Sequence, residues 1–168
     1  EYDFTGQTSG CILFYYHMYG SAMGSIDVLI NGTSAPGFPI VGQQHANNAA
    51  AYTAVNVNLA AYMGQSNVLI EIIGTTGTSF TSDIAIDEIT VDVGTGNCAA
   101  CPPPPSGCAA NYAGPTISAF PHCTTFEGPH DWYQCLFDDL NWTQDAGGTP
   151  STGTGPTTGA LGTNTYMY

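Results

Sequence analysis

Cys11-Ile12-Leu13-Phe14-Tyr15-Tyr16-His17-Met18-Tyr19 and Ile84-Ala85-Ile86-Asp87-Glu88-Ile89-Thr90-Val91-Asp92-Val93 are the stretches whose reading decides the fold. The first is rich in aromatic and branched residues, the second sets apolar against polar residues, and neither carries a 3.6-residue period. Both predict strands. Ser25-Ile26-Asp27-Val28-Leu29-Ile30 alternates before an Asn31-Gly32 turn, and Gly20 to Gly24 is expected to close a hairpin between this strand and the first. Tyr52 to Leu59, with Val and Asn in alternation, and Asn67 to Ile73 add two more strands, while Gly74 to Gly77 and Gly94 to Gly96 are turn or linker chemistry. Ala46 to Ala51 suggests at most one short turn of helix. The expectation is an all-β, antiparallel two-sheet sandwich.

Beyond Val93 the character changes. Residues 94–122 hold Gly, Ala, small polar residues and Pro102 to Pro105, a composition that favours a stiff, extended linker. A second strand-like segment, 123–168, starts at Cys123-Thr124-Thr125-Phe126-Glu127, passes a Gly, Thr and Pro loop at Gly147 to Gly162, and ends on Asn164-Thr165-Tyr166-Met167-Tyr168. Residues 1–93, 94–122 and 123–168 are therefore three units of organisation.

At 168 residues and 43% hydrophobic, the chain suits one domain of ordinary size. Only 8% of residues are charged and all are acidic: thirteen Asp and Glu, no Lys or Arg, net charge −13. Nucleic-acid binding and a polybasic membrane footprint both need basic side chains, so neither is a primary function. No apolar run approaches the roughly 18 residues of a membrane span, and Glu1-Tyr2-Asp3-Phe4 reads as the middle of a longer precursor. Six cysteines allow fifteen pairings. Cys98 and Cys101 form a CxxC that is compatible with zinc or redox chemistry, but the following prolines and the lack of a basic neighbour favour structural disulfides. Cys101 and Cys108 flank the prolines and would close a small loop. An oxidising, extracellular setting agrees with two N-glycosylation sequons, Asn31-Gly32-Thr33 and Asn141-Trp142-Thr143.

Two blocks resemble the MAM domain, an extracellular β-sandwich named for meprin, a neuronal surface antigen and a receptor tyrosine phosphatase. Ser9 to Gly20 and Asp83 to Ile89 look like that family's third-cysteine strand and its closing strand. Cys123 to Tyr168, with its CxxFE, DDLNWTQ, GGTPSTGTGP and YMY stretches, looks like the family's opening half. The blocks stand in reversed order, the closing half of one domain preceding the opening half of the next. The resemblance implies a MAM-like jelly roll with disulfides Cys11–Cys98 and Cys123–Cys135, leaving Cys101–Cys108 for the linker, and roles in adhesion or assembly without catalysis. It also implies a cation near the opening strand, although Thr157-Thr158-Gly159-Ala160 stands where the family usually has an Asp.

Carboxylates and loop carbonyls suit Ca²⁺, and Glu127, Asp138, Asp139, Asp87 and Glu88 are the candidate ligands. No HExxH, GxSxG or phosphate loop is present, and His17, inside a strand, reads as a packed structural residue. Tyr15, Tyr16, Tyr19, Trp132 and Trp142 could stack on glycans, but strand spacing favours core packing. Two functions follow. The first is an extracellular repeat unit completed head to tail by copies of itself into a filament or tandem array, which the reversed order and the one-sign charge favour. The second is a MAM-type adhesion module that recognises protein or glycan.

Overall fold

β1 (Gly10–Gly20), β5 (Thr53–Asn58), β7 (Ser82–Val93), β8 (His122–Thr124), β9 (Gln144–Ala146) and β10 (Thr165–Met167) form one antiparallel sheet in the computed structural model, ordered β5-β1-β7-β10-β9 with β8 also on β7. A second sheet centres on β2 (Ser25–Ile30), with β6 (Ile70–Thr75) on one edge and β3 (Thr33–Ser34) and β4 (Ile40–Val41) on the other. The structure describes residues 1–94, 116–128, 130, 132–134 and 140–168. Among these, the only helical pieces are two single 3-10 turns, Ala60–Tyr62 and Ala160–Gly162. The all-β sandwich is what the strand patterns imply.

Alternation decides which side chains enter the sandwich. Ile12, Phe14, Tyr16 and Met18 of β1 face Ile26, Val28 and Ile30 of β2 across the core, all buried. Each such burial is worth roughly 1.5–3 kcal/mol. The Asn31-Gly32 turn joins Ile30 to Thr33 with both central residues at positive φ, 50° and 75°, as a two-residue hairpin requires.

β7 departs from plain alternation. Thr90 pairs with Leu13 and Asp87 with Tyr15, so Glu88 and Ile89 together oppose Phe14, and Glu88 takes φ 51°. This β-bulge moves the inward series from Ile84 and Ile86 to Ile89, Val91 and Val93.

Two expectations are corrected. Gly20 to Gly24 closes no hairpin, because β1 and β2 lie in different sheets and the glycines carry the chain from one to the other. Ala46 to Ala51 forms no helix but a single turn: the Asn47 carbonyl accepts the Ala50 N–H, while its side chain takes the Ala49 N–H in competition with any helical continuation.

Within the single chain, residues 122–168 complete the sandwich that residues 1–94 begin. β8 and β10 share the edge of β7 left free by β1, through Ile89–Thr124 to Val91–His122 and through Ile86–Met167. Ile117 and Phe120, inside the stretch read as linker, join the sandwich as well. Ile117 bridges Tyr2, and Phe120 stacks on Phe4 with centroids 5.5 Å apart. Because Tyr166 is fully buried against this shared sheet, Tyr166→Ala is expected to cost about 3–5 kcal/mol. Residues 1–94 should then melt together with 116–168 in a single transition, and two separate transitions by calorimetry would contradict this packing.

Candidate functional site

A buried carboxylate in a chain with no Lys or Arg needs N–H and O–H donors, and one loop brings them to Asp87 while also bonding half-buried Asp83 and exposed Glu127. The loop leading into β10 is fastened at three points. Asp83 Oδ2 accepts the Thr149 hydroxyl at 2.9 Å and also the Thr154 hydroxyl. Asp87, with no exposed surface, accepts the Glu88 N–H on Oδ1 at 2.8 Å and the Ala160 N–H on Oδ2 at 2.7 Å. Glu127 Oε1 accepts the Asn164 N–H, the Thr165 N–H and the Thr165 hydroxyl at 2.6–2.8 Å. Tyr166 closes the loop from within, donating to the Pro156 carbonyl at 2.8 Å and accepting the Gly148 N–H at 3.1 Å. A Cβ at residue 159 would stand 2.7 Å from Asp87 Oδ2, so the close approach requires Gly159.

Burial pushes the Asp87 carboxyl up to about 7, against the pull of the Ala160, Thr163 and Glu88 donors and with a further push from the Glu88 charge. The Thr163 hydroxyl donates to Asp87 Oδ2 at 2.9 Å and lies 2.6 Å from the Ala160 carbonyl. Burial also raises Glu88, with Glu127 nearby. At Glu127 burial acts upward, but the Thr165 and Asn164 donors outweigh it and the carboxyl is lowered.

His17 and His45 stack behind this loop with centroids 4.4 Å apart. Burial first, then the neighbouring His45, lowers His17 to about 4, so it is neutral at physiological pH. His45 accepts the Met18 N–H on Nδ1 at 3.0 Å and meets the Thr53 hydroxyl through Nε2 at 3.1 Å. Both histidines hold loops in place, as expected for His17.

Of the proposed cation ligands, Asp87, Glu88 and Glu127 lie along this clamp, whereas Asp138 and Asp139 fall outside the described residues. Among the described residues no three His, Cys, Asp or Glu side chains gather where they could hold a metal ion. Cys11 is buried in β1 and Cys123 half-buried in β8; Cys98, Cys101, Cys108 and Cys135 fall outside the described residues. Asn31 and Asn141 are exposed, though the Asn31 side-chain carbonyl accepts the Leu69 N–H at 2.8 Å.

The feature that sequence reasoning missed is a cleft of about 610 Å³ between β6 and the segment that runs past Trp132 and Trp142. Ile70, Ile72, Ile117 and Phe126 line it, with Leu69 and Ile73 partly exposed at its mouth and Tyr133 and Leu140 largely so. The Trp132 and Trp142 N–H groups are spent internally, on the Thr124 hydroxyl and the Ile72 carbonyl, and the two rings pack against the core.

Sandwich, clamped loop and apolar cleft define an all-β domain of two antiparallel sheets. The family model "MAM domain, meprin/A5/mu" matches residues 3–99, and the chain belongs to the MAM family. A curated relative, MAM domain-containing glycosylphosphatidylinositol anchor protein 1 of Gallus gallus, is 32% identical over 98 residues, which are 58% of this chain and 10% of that protein. The chain thus spans about a tenth of the length of this relative. No solved structure matches. Among the described residues no helix is long and apolar enough to cross a membrane.

The Asp87 clamp sets a pH dependence. An acid whose folded pKa is raised stabilises the fold fully below its unfolded pKa, near 3.8, and that stability is lost as pH rises to about 7. The lowered histidines act in the opposite direction below their ordinary pKa near 6.5, so Asp87→Asn provides the isolating comparison. The stability advantage of the unaltered chain over Asp87→Asn is expected to grow by about 2–4 kcal/mol between pH 8 and pH 5. A gap that stays constant in denaturant titrations would refute the assignment.

Proposed function

We propose that this chain is a non-catalytic binding module of the adhesion type, displayed outside the cell as part of a larger protein. The observation that carries the reading is that one chain fills its own sandwich and still leaves an apolar cleft with exposed Leu69, Ile73, Leu140 and Tyr133 on its rim. Monomeric proteins rarely leave such surface without a partner. Membership of the MAM family and the name of the anchored avian relative support the same class. Exposed Asn31 and Asn141 belong to the reading as glycan carriers on a secreted or cell-surface protein.

Beads coated with the chain are expected to attach to an extracellular-matrix surface and to detach after trypsin treatment. The chain has no Lys or Arg for trypsin to cut, so loss of attachment reports the partner. No attachment, or attachment that survives trypsin, would overturn a protein-binding role. In sedimentation the chain is expected as one species of 17.5 kDa. Filaments would instead restore head-to-tail completion.

A further inference from the structure

The outer face of the six-stranded sheet carries a pocket that shares no lining residue with the cleft beside β6. In β1 the even-numbered side chains from Ile12 to Met18 fill the core, so Tyr15 and His17 point to the other side. His17 is covered by the loop that carries Asn47, whose carbonyl meets its Nε2 at 3.1 Å, but Tyr15 is only half-buried. Tyr15 and two loops, residues 48–52 and 156–162, enclose about 320 Å³. Every residue that lines this space is among those the structure describes.

The pocket keeps polar groups that the clamp does not use. Thr149, Thr154, Thr163 and Thr165 spend their hydroxyls on Asp83, Asp87 and Glu127. Thr157 and Thr158, exposed on the same loop, and Asn48 opposite them make no side-chain hydrogen bond among the described residues. Tyr52 lines the pocket too, and its buried hydroxyl lacks a partner, a state that folded proteins rarely tolerate without a reason. Apolar surface lies beside these groups, from the Tyr15 ring, Ala49, Ala51 and Leu161. Leu161 is 64% exposed and sits at φ 51°, a left-handed conformation that a leucine adopts only when its surroundings impose it. They do so on both sides, through the Ala160 N–H on Asp87 and the Thr163 N–H on the Ala160 carbonyl. The clamp thus fixes the pocket wall before any ligand arrives.

We propose that this pocket binds a short neutral saccharide, packed on Tyr15 and Leu161 and hydrogen-bonded by Asn48, Thr157 and Thr158. Charge selects the class. No charged side chain lines the pocket, so an ion finds no partner there, and a chain of net charge −13 without Lys or Arg repels anions. A purely apolar ligand would leave Asn48 and both threonines dry and unpaired. A saccharide offers C–H faces to an aromatic ring and hydroxyls that donate and accept, which matches amide and hydroxyl side chains able to do both. The volume lies at the small end for ligand pockets, enough for a short saccharide and too little for a folded partner. The site goes beyond the binding-module reading, since it stands whether or not the cleft takes a protein.

The probes are lactose, maltose and N,N′-diacetylchitobiose, each titrated into the intact, isotope-labelled chain and followed by backbone amide shifts. At least one is expected to move the signals of Asn48 to Tyr52 and Thr157 to Gly162 saturably, with Kd roughly 0.1–10 mM, the range of small polar ligands on open sites. That Kd is expected to change less than about twofold between 50 and 500 mM salt, because no ion pair forms. A hyaluronan disaccharide, which carries a carboxylate, is expected to bind at least fivefold more weakly than the best neutral probe. Asn48→Ala combined with Thr158→Val removes two lining side chains and no internal hydrogen bond, so the fold is kept and binding is expected to weaken at least tenfold. Thr152→Val, exposed on the same loop but outside the pocket, is expected to leave binding within twofold. No saturable shift from any of the three neutral probes at about 50 mM, shifts confined to Leu69 to Thr76 in the cleft, equal binding by the double variant, or equal binding by the charged disaccharide would each overturn the proposal. Displacement of the bound probe by tryptic glycopeptides of the matrix would place the natural saccharide on protein, and displacement by a neutral, protein-free polysaccharide would place it there instead; either result supports the site.

Discussion

A chain with thirteen carboxyl groups and no lysine or arginine cannot neutralise a buried acid with a salt bridge, and the rest of the structure follows from that constraint. Burying an unpaired carboxylate is too costly, so every acid taken inside must collect N–H and O–H donors or keep its proton. Buried Asp87 and half-buried Asp83 take donors from Thr149, Thr154 and Ala160 in the loop before β10, and exposed Glu127 holds the same loop's end through Asn164 and Thr165. Removing that loop would strip the acids of β7, so the final segment is bound to β7 by electrostatic need as well as by the burial of Tyr166 and Met167. The bulge at Glu88 serves the same end. It lets β7 present Asp87 to the loop while Ile86 and Ile89 both stay in the core.

One face of the molecule is thereby closed. β7 spends one edge on β1 and the other on β8 and β10, while the loop covers the outer face near Asp87. Among the described residues β6 pairs only with β2, and its outward carbonyl at Ile72 is met by the Trp142 indole, a single hydrogen bond that contributes about 1 kcal/mol net.

The strands were legible because their residues alternate in a way that only a pleated, one-sided burial explains, and the Asn31-Gly32 hairpin because no other dipeptide suits that turn so well. The bulge was passed over: the step from Ile86 to Ile89 is three residues where alternation demands two, but the apolar run reads as a strand either way. Sheet assignment was not legible. Gly20 to Gly24 has the composition of a hairpin turn and of a sheet-to-sheet crossing alike, and pairing partners are set by the whole core. The clamp escaped for a similar reason. Carboxylates in a sequence look the same whether they face calcium or the N–H groups of a distant loop, and the donors at Ala160 and Asn164 are backbone, which leaves no mark on residue identity. The cleft arises where strands are absent, which no strand pattern records.

Reversed order of the two family-like halves does not by itself decide between closure within a chain and exchange between chains, because both make the same contacts. The difference lies in the connection. Joining Val93 to His122 through roughly 30 residues costs about 3 kcal/mol of closure entropy, and a covalent connection of that length keeps its ends at effective concentrations near the millimolar range. Exchange between chains must reach a comparable concentration of free edges, and it must do so between surfaces that each carry thirteen negative charges. Ile117 and Phe120 shift the balance further, since they pack against Tyr2 and Phe4 and anchor the far end of the connection beside the start of the chain. Within one chain, the order of the halves makes a rearranged connectivity of one sandwich, β8, β9 and β10 extending the sheet that β1 and β7 begin.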